Sequence, residues 1–510
     1  MTMRWFRLCA ALLAGLTLAS AQSPTGKWVA KYSTDDEARE IVLALNVESG
    51  GQVTGYVLAP QYEDRIVEGT ASGGQIAFVA EREANNNTRR RSNYSAVLEG
   101  GKLKLTMPTS GNRPPQVFEF TRASAEAPAP LAPPPPRIAL AAPSAVRDNG
   151  LARTPPMGWN SWNKFQGKVT DKVVREMADA MVKNGMKAAG YVYVNIDDTW
   201  ESARDRQGNI GTNSKFPDMK ALAAYVHGKG LKLGLYSSPG PKTCAGYEGS
   251  YQHEAQDAKT FAAWGIDYLK YDWCSASRPY APDAATMQAA YAKMGEALLA
   301  SGRAIVYSLC QYGMHDVGEW GAKVSGNLWR TTGDISDRWQ SMSHIGFDQQ
   351  PGREKYAAPG HWNDPDMLEI GNGGMSDIDY RTHMSLWCLL AAPLLAGNDL
   401  RDMKPGILEI LTNKEAIAVD QDKLGKQGVR VAKTGDLEVW ARPLADGGHA
   451  GGLFNRGAAA AKVTAKWSDI GVKGAHKVRD LWAHAARGKV KDEYTAEVPS
   501  HGVVMIKIAK

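Results

Sequence analysis

The stretch Tyr268-Leu269-Lys270-Tyr271-Asp272-Trp273-Cys274 decides how the chain is organised. Gly265 separates it from a helix-like segment, and its aromatic residues favour a short buried strand. Lys270 and Asp272 are two residues apart, so they point to the same face of that strand. A lone pair of this kind is more often a structural ion pair than part of a site. Whether Lys270 and Asp272 form a structural ion pair or part of a functional site therefore depends on which residues end the neighbouring strands.

Strand and helix patterns alternate on both sides of this stretch. The segment contains eight short apolar runs, separated by helical patterns, within about 250 residues. This number of strands and this length predict an α/β fold of the (β/α)8 TIM-barrel type. The predicted strands are residues 157–162, 191–200, 231–238, 268–274, 305–310, 327–335, 361–368 and 393–400. A doubly wound open sheet is the alternative, but no Gly-rich phosphate-binding loop follows the first strand.

Segments of β character lie before and after the predicted barrel. Residues 22–123 alternate in β fashion between Gly-Gly turns, which predicts a small antiparallel barrel or sandwich of unassigned role. Residues 124–150 are rich in Pro and Ala and are expected to form an extended polyproline linker. The barrel is then expected over residues 151–422, and a C-terminal antiparallel β-sandwich over residues 423–510.

The N-terminus has the pattern of an export signal. Arg4 and Arg7 precede an apolar run over residues 8–18, and Ala19-Ser20-Ala21 forms an A-x-A cleavage site. The run is too short to span a bilayer comfortably. This predicts a signal peptide over residues 1–21 and a secreted or periplasmic mature chain that has no membrane segment after cleavage.

The charge balance is mild for a chain of 510 residues. Lys and Arg number 60 against 54 Asp and Glu, a net charge of +6, and we find no basic stripe of the kind that nucleic acid requires. The densest cluster, Arg89-Arg90-Arg91, is expected to be a solvated loop. Export permits disulfides. Three pairings are open to the cysteines beyond the signal, which are Cys244, Cys274, Cys310 and Cys388.

Acidic and aromatic residues gather where the predicted barrel strands end. Acidic clusters end strands two, four, six and seven, and barrel enzymes build their sites at this end of the strands. One such cluster could be a helix cap, but four are hard to explain in that way. We find no H-E-x-x-H, C-x-x-C or Walker pattern, so neither a metal nor a cofactor is predicted. Many carboxylates with aromatics, one Lys and one Arg suit glycoside hydrolysis, which needs two carboxyl groups across one bond.

Residues 151–422 resemble the α-galactosidases of glycoside hydrolase family 27. The motifs that carry the resemblance, in chain order, are residues 151–162, Asp197-Asp198, and residues 270–274, 329–335 and 362–368. The C-terminal β segment resembles the second domain of that family, whereas residues 22–123 lie outside the resemblance. The resemblance implies a carbohydrate substrate and is compatible with an oligomer.

Individual roles are also implied by the resemblance. Asp272 corresponds to the nucleophile and Asp334 to the acid/base of a retaining mechanism with a covalent galactosyl-enzyme. Asp197 and Asp198 correspond to ligands of the O4 and O6 hydroxyls. Lys270, on the same strand face as Asp272, is expected to lower the pKa of that carboxyl group. The implied sugar-contacting residues are, in addition, Trp162, Tyr236, Lys270, Cys310, Tyr312, Arg330 and Asp366.

This chain differs from the family pattern in two places. Gln311-Tyr312 stands where plant-type members of the family have Glu-Trp, beside the position of the 2-hydroxyl. Cys244 and Cys274 match a family disulfide, which leaves Cys310 and Cys388 free, while Thr199 replaces a cysteine of a second disulfide.

Several other activities would use the same machinery. They are those of a β-L-arabinopyranosidase, an α-N-acetylgalactosaminidase and an isomaltose-releasing dextranase. The pair Asp197-Asp198 favours galactose over the arabinose type, because arabinose has no C6 hydroxymethyl group to hold. A non-catalytic sugar-binding protein is disfavoured because both Asp272 and Asp334 are present.

Overall fold

The computed structural model describes residues 23–34, 37–59, 62–83, 89–107, 115–131 and 136–510. The predicted signal peptide lies outside these ranges. The described residues form two compact units, one among the residues up to 131 and the other over residues 136–510. Within the described ranges, no helix combines the length and the apolar composition that crossing a bilayer requires.

The N-terminal unit is a closed antiparallel barrel whose eight strands follow one another in sequence order. The strands are β1 (Gly26–Thr34), β2 (Glu37–Val47), β3 (Val53–Ala59), β4 (Tyr62–Ser72), β5 (Gln75–Glu83), β6 (Arg89–Glu99), β7 (Lys102–Met107) and β8 (Gln116–Ser124). β1 pairs with β8, so the sheet has no free edge. Its interior is packed with apolar side chains such as Trp28, Leu43 and Phe120.

The predicted loop at Arg89-Arg90-Arg91 is instead the beginning of β6. Arg89 forms an ion pair with Glu81 of β5, and Arg91 forms one with Glu68 of β4. These partners, one on the neighbouring strand and one on the strand beyond it, allow a basic run to lie in a strand because they offset its positive charge.

The predicted (β/α)8 barrel is confirmed, with all eight strands in the predicted order. The strands are β9 (Met157–Asn160), β10 (Tyr193–Asn195), β11 (Lys232–Ser237), β12 (Tyr268–Asp272), β13 (Val306–Cys310), β14 (Leu328–Arg330), β15 (Trp362–Asp364) and β16 (Leu394–Ala396). Neighbouring strands are parallel, and β16 lies beside β9. A bridge between Leu368 and Ala396 completes the ring after β15.

Helices follow the barrel strands and extend into the C-terminal region. They are α1 (Trp162–Phe165), α2 (Asp171–Lys183), α3 (Met186–Ala189), α4 (Met219–Gly228), α5 (Glu254–Trp264), α6 (Ala284–Ala300), α7 (Trp339–Ser343), α8 (Asp377–Leu390), α9 (Pro405–Thr412), α10 (Lys414–Asp420) and α11 (Trp467–Ile470). Shorter 3-10 turns are Gln166–Lys168, Met314–Glu319, Gly321–Lys323 and Glu354–Tyr356, and a π turn is His344–Asp348. Thr170 caps α2 as predicted, since its side chain accepts the Val173 N–H at 3.2 Å.

Side chains on β12 separate into outward and inward sets. Leu269 and Tyr271 belong to the main apolar core, which packs the barrel against its helices. Tyr268 belongs to a second apolar cluster, which we term the barrel floor. The barrel floor includes Tyr193, Tyr268, Val306, Leu328 and Trp362. Because side chains alternate along a strand, Lys270 and Asp272 point into the barrel above this cluster.

The C-terminal region is an antiparallel β-sandwich, as predicted. Its strands are β17 (Val429–Thr434), β18 (Leu437–Pro443), β19 (His449–Asn455), β20 (Ala461–Lys466), β21 (Ala475–Asp480), β22 (Ala485–Lys491), β23 (Glu493–Val498) and β24 (Val503–Ile508). Six of them form one sheet, and β20 pairs with β23. The sandwich packs on α8, where the buried Arg442 donates to the carbonyl of Cys388 at 2.8 Å.

The second half of the predicted linker is attached to the barrel. Ile138 forms a parallel bridge with Tyr280, and Val146 forms one with Val324. The Leu140 N–H also donates to the Thr286 hydroxyl at 2.9 Å. Residues 138–146 therefore belong physically to the barrel, although their composition is that of a spacer.

We expect two truncations to behave differently for this reason. Deleting residues 22–133 should leave the activity of the barrel nearly unchanged, because every candidate site residue lies beyond residue 151. Deleting residues 22–145 should lower the free energy of unfolding by at least about 2 kcal/mol, because it removes the contacts of Ile138 and Leu140. Denaturant unfolding and activity assays of both proteins check this, and equal stability of the two would contradict it.

Candidate functional site

Asp272 is the last residue of β12 and lies at the C-terminal mouth of the barrel. Its side chain is buried, and the Tyr312 hydroxyl donates to its Oδ1 at 2.6 Å. Burial raises the pKa of Asp272 to about 6, although Lys270 and Tyr312 act to lower it. Lys270 therefore acts on this pKa in the predicted direction, but the net pKa is raised. Desolvation outweighs the nearby positive charge.

Lys270 forms its close ion pair with Asp197. Its Nζ lies 2.8 Å from Asp197 Oδ2, and the same oxygen accepts a hydrogen bond from Asn160 Nδ2 at 2.8 Å. The ammonium also lies 5.3 Å from the centre of the Tyr236 ring. Side chains from β9, β11, β12 and the end of β10 thus meet at one point, which holds the Asp197 carboxylate in a defined position.

Asp198 is held by main-chain groups. The N–H of Ala245 donates to its Oδ2 at 2.7 Å, and the N–H of Thr199 donates to its Oδ1 at 2.7 Å. Burial raises the pKa of Asp198 to about 7, against the lowering effect of these bonds. The two adjacent aspartates are therefore fixed by different devices, one by side chains and the other by the backbone.

Arg330 at the end of β14 connects the remaining carboxylates. Its Nη2 lies 2.9 Å from Asp366 Oδ2 and 3.2 Å from Asp334 Oδ1. Asp366 is buried, has a φ of +91° and accepts the N–H of Ile335 at 2.8 Å. The Asp334 side chain, in contrast, is 74% exposed. A solvent-facing carboxylate beside a buried arginine is placed where it can exchange protons with water.

Tyr312 connects the two sides of the mouth. Its hydroxyl is 3.6 Å from Cys244 Sγ and binds Asp272, while the Arg330 guanidinium lies 5.9 Å from the centre of its ring. Its φ of +60° is unusual for a residue with a side chain. With the backbone at this angle, the hydroxyl lies within hydrogen-bond distance of Asp272, the candidate nucleophile.

The cysteines pair as the resemblance implied. Cys244 and Cys274 form a disulfide with Cα atoms 4.9 Å apart, and Cys310 and Cys388 are free and buried. Cys274 Sγ lies 3.4 Å from the Tyr236 hydroxyl, and Cys310 Sγ accepts from Arg330 Nη1 at 3.7 Å. Cys244, Asp272 and Cys274 bring three side chains of metal-binding types together. Both sulfurs are used in the disulfide, so neither offers the thiolate that a metal would bind.

Every predicted site residue belongs to this one network of contacts. Trp162, the remaining one, is partly buried against the barrel floor, and its N–H donates to Asn160 Oδ1 at 2.9 Å. The sequence interpretation missed Asn160, which supports Asp197, and Asp364, whose pKa is raised to about 6 by burial. Both stand in quoted motifs at strand ends, so position alone could have pointed to them.

The arrangement brings the buried Asp272, the exposed Asp334, the adjacent pair Asp197 and Asp198, and two cationic side chains together at one mouth. The sequence also matches known proteins over this region. Residues 154–422 match the family described as alpha galactosidase A, and residues 434–508 match the alpha galactosidase C-terminal beta sandwich domain. The chain belongs to the α-galactosidase family, glycoside hydrolase family 27.

Individual relatives extend over most of the chain. The α-galactosidase of Cyamopsis tetragonoloba is 52% identical over 71% of this chain and 87% of its own. The crystal structure of α-galactosidase I from Mortierella vinacea is 37% identical, with a TM-score of 0.69, over 71% of this chain and 98% of its own. A solved Bacteroides fragilis structure is 31% identical, with a TM-score of 0.68, over 95% of this chain and 92% of its own. These relatives and solved structures show that the chain is a glycoside hydrolase of the α-galactosidase family.

Proposed function

We propose that the chain is an exported, retaining α-galactosidase that removes terminal α-D-galactosyl residues from oligo- or polysaccharides by double displacement. The observation that carries the proposal is the pair Asp272 and Asp334, one buried and hydrogen-bonded to Tyr312, the other exposed and bonded to Arg330. A buried carboxylate and a solvent-facing carboxyl group suit the different tasks of nucleophile and acid/base.

The first half of the reaction breaks the glycosidic bond. Ionised Asp272 attacks the anomeric carbon and forms a covalent bond to it, while Asp334 gives its proton to the departing oxygen. Asp197, Asp198 and Lys270 hold the sugar hydroxyls during this step. The hydrogen bond from Tyr312 favours the ionised form of Asp272 and therefore opposes the effect of burial on its pKa.

The second half releases the sugar. Asp334, now a carboxylate, takes a proton from water, and the resulting oxygen attacks the anomeric carbon as the bond to Asp272 breaks. Two inversions give net retention, so the first product is α-galactose. Export is supported by the basic start, the apolar run and the A-x-A site of residues 1–21. The unit formed by residues 22–123 would be an accessory domain, joined through residues 124–150 to the barrel of residues 151–422 and the sandwich of residues 423–510.

A panel of nitrophenyl glycosides tests the substrate. We expect kcat/KM for p-nitrophenyl α-D-galactoside to exceed the values for the β-L-arabinopyranoside and the α-N-acetylgalactosaminide by at least about tenfold. The reason is that a site built to hydrogen-bond a hydroxyl strongly rejects an analogue that lacks it. Asp197 and Asp198 are such a pair of buried acceptors, and the arabinoside lacks the 6-hydroxyl group that they would hold. Cys310 and Tyr312 border the proposed position of the 2-hydroxyl, which an N-acetyl group replaces in the other rival. A higher kcat/KM for either rival would assign that activity instead, and failure on all three would favour a non-catalytic protein.

A further inference from the structure

A lysine outside the predicted site joins two loops at the mouth of the barrel. Lys215 Nζ donates to the carbonyl of Gly167 at 2.8 Å and to the Thr199 hydroxyl at 2.9 Å. Gly167 lies in the connection after β9, and Thr199 lies in the connection after β10. The ring of Tyr247, after β11, lies 5.8 Å from the same ammonium. One charge therefore links three consecutive loops.

Thr199 is the direct support of Asp198. Its N–H is shared between Asp198 Oδ1 at 2.7 Å and Glu201 Oε2 at 3.1 Å. Its φ is +84°, an angle that a β-branched residue rarely adopts. Asn213 Nδ2 donates to its carbonyl at 2.8 Å. Because the isolated backbone disfavours this conformation, contacts from Lys215 and Asn213 must hold it.

Glu201 adds a buried carboxyl group to the surroundings of Thr199. The side chain is fully buried, and its Oε1 has no hydrogen-bond partner within the described part of the chain. Burial and the nearby Asp198 raise the pKa of Glu201, whereas the Lys215 ammonium lowers it. Asp198 and Glu201 share one N–H donor, so a movement of Thr199 would alter the hydrogen bonds of both carboxyl groups. Lys215 thus opposes relaxation of the Thr199 backbone.

We propose that Lys215 is a positioning residue that sets the preference of the site for a sugar with a 6-hydroxyl group. It acts through Thr199, whose N–H fixes Asp198. The inference rests on the proposed function, in which Asp197 and Asp198 bind O4 and O6 of galactose. Without Lys215, the Thr199 backbone would relax and the Asp198 carboxylate would move. A substrate with O6 would then lose more binding than one without it.

Two substrates that differ only in O6 test this directly: p-nitrophenyl α-D-galactoside and its 6-deoxy analogue. For Lys215→Met we expect the ratio of their kcat/KM values to fall about tenfold, within the roughly 100-fold that a displacement of about 1 Å can produce. Thr199→Val, which removes the acceptor oxygen but keeps the shape, should lower the ratio in the same direction. Thr199→Ser, which keeps the oxygen, should preserve it. If Lys215→Met does not fold, Thr199→Val tests the same inference on its own.

Lys187→Met is the matched control. Lys187 Nζ also donates to a backbone carbonyl in another segment, that of Lys229 at 2.5 Å, but at the N-terminal ends of the barrel strands. Its loss should lower the melting temperature and leave the ratio unchanged. Equal losses on both substrates in the Lys215 and Thr199→Val variants would overturn the inference. A wild type that does not hydrolyse the galactoside would overturn the proposed function, and the inference with it.

Discussion

Asp272→Ala is expected to lower kcat/KM on p-nitrophenyl α-D-galactoside by at least about 10⁴-fold, roughly 5.5 kcal/mol of transition-state stabilisation. Double displacement requires this carboxylate to form the covalent bond, and the neighbouring acids Asp197, Asp364 and Asp366 occupy other positions in the network. Removing the side chain opens space on the face from which it attacks. Added azide should therefore restore turnover and yield β-galactosyl azide, which NMR of the product identifies.

The substitution Asp272→Asn distinguishes the effect of Asp272 on catalysis from its effect on the free energy of unfolding. The folded-state pKa of about 6 lies above the ordinary 3.8, so the folded state binds this proton more tightly than the unfolded state does. Stability is therefore lost as the pH rises from about 4 to about 6, and the loss is complete at pH 7. The difference of about two units corresponds to about 3 kcal/mol. The neutral amide should give an inactive protein that is at least as stable as the wild type at pH 7. A variant that loses both properties would make Asp272 a structural ion-pair member.

Asp334→Ala is expected to have an effect that depends on the leaving group. Methyl α-galactoside needs a proton on its departing oxygen, so kcat/KM should fall about 10³-fold, within the range of general acid catalysis. A dinitrophenyl galactoside, whose leaving group is stable as an anion, should lose far less in its first step. Because the Asp334 side chain is 74% exposed, its removal should leave the fold intact.

Asp316→Ala provides the comparison for this experiment. Asp316 is an exposed acid on the loop after β13, and it has no bond to Arg330 among the described residues. It should leave both substrates unaffected. Equal losses on the activated and unactivated substrates for Asp334→Ala would contradict its role as the acid/base.

The barrel strands were predictable because they are buried on both faces and read as continuous apolar runs. Their ends were not: the run predicted over residues 191–200 forms a strand only over Tyr193–Asn195. Residues 196–200 remain buried but leave the ladder to hold the site.

The candidate site shows the same division. The sequence at the strand ends predicted which side chains face the mouth, because side chains alternate between the two faces of a strand. They did not tell which groups pair: Lys270 binds Asp197 and not Asp272. Nor did they predict the raised pKa of Asp272, which depends on how completely the surrounding chain excludes water. Lys215 lies in a loop with no pattern of its own, and only three-dimensional contacts identify it.

The barrel floor determines the order in which products depart. Its side chains fill the interior below Lys270 and Asp272, so a sugar that reaches Asp272 has no passage beyond. It enters and leaves by the same opening, with the rest of the substrate between it and solvent. Under the proposed function, the cleaved remainder leaves first and free galactose leaves last, competing with the next substrate for the same closed space. A galactose unit substituted on both sides would not fit there, so the proposed activity would shorten a polymer only from its ends.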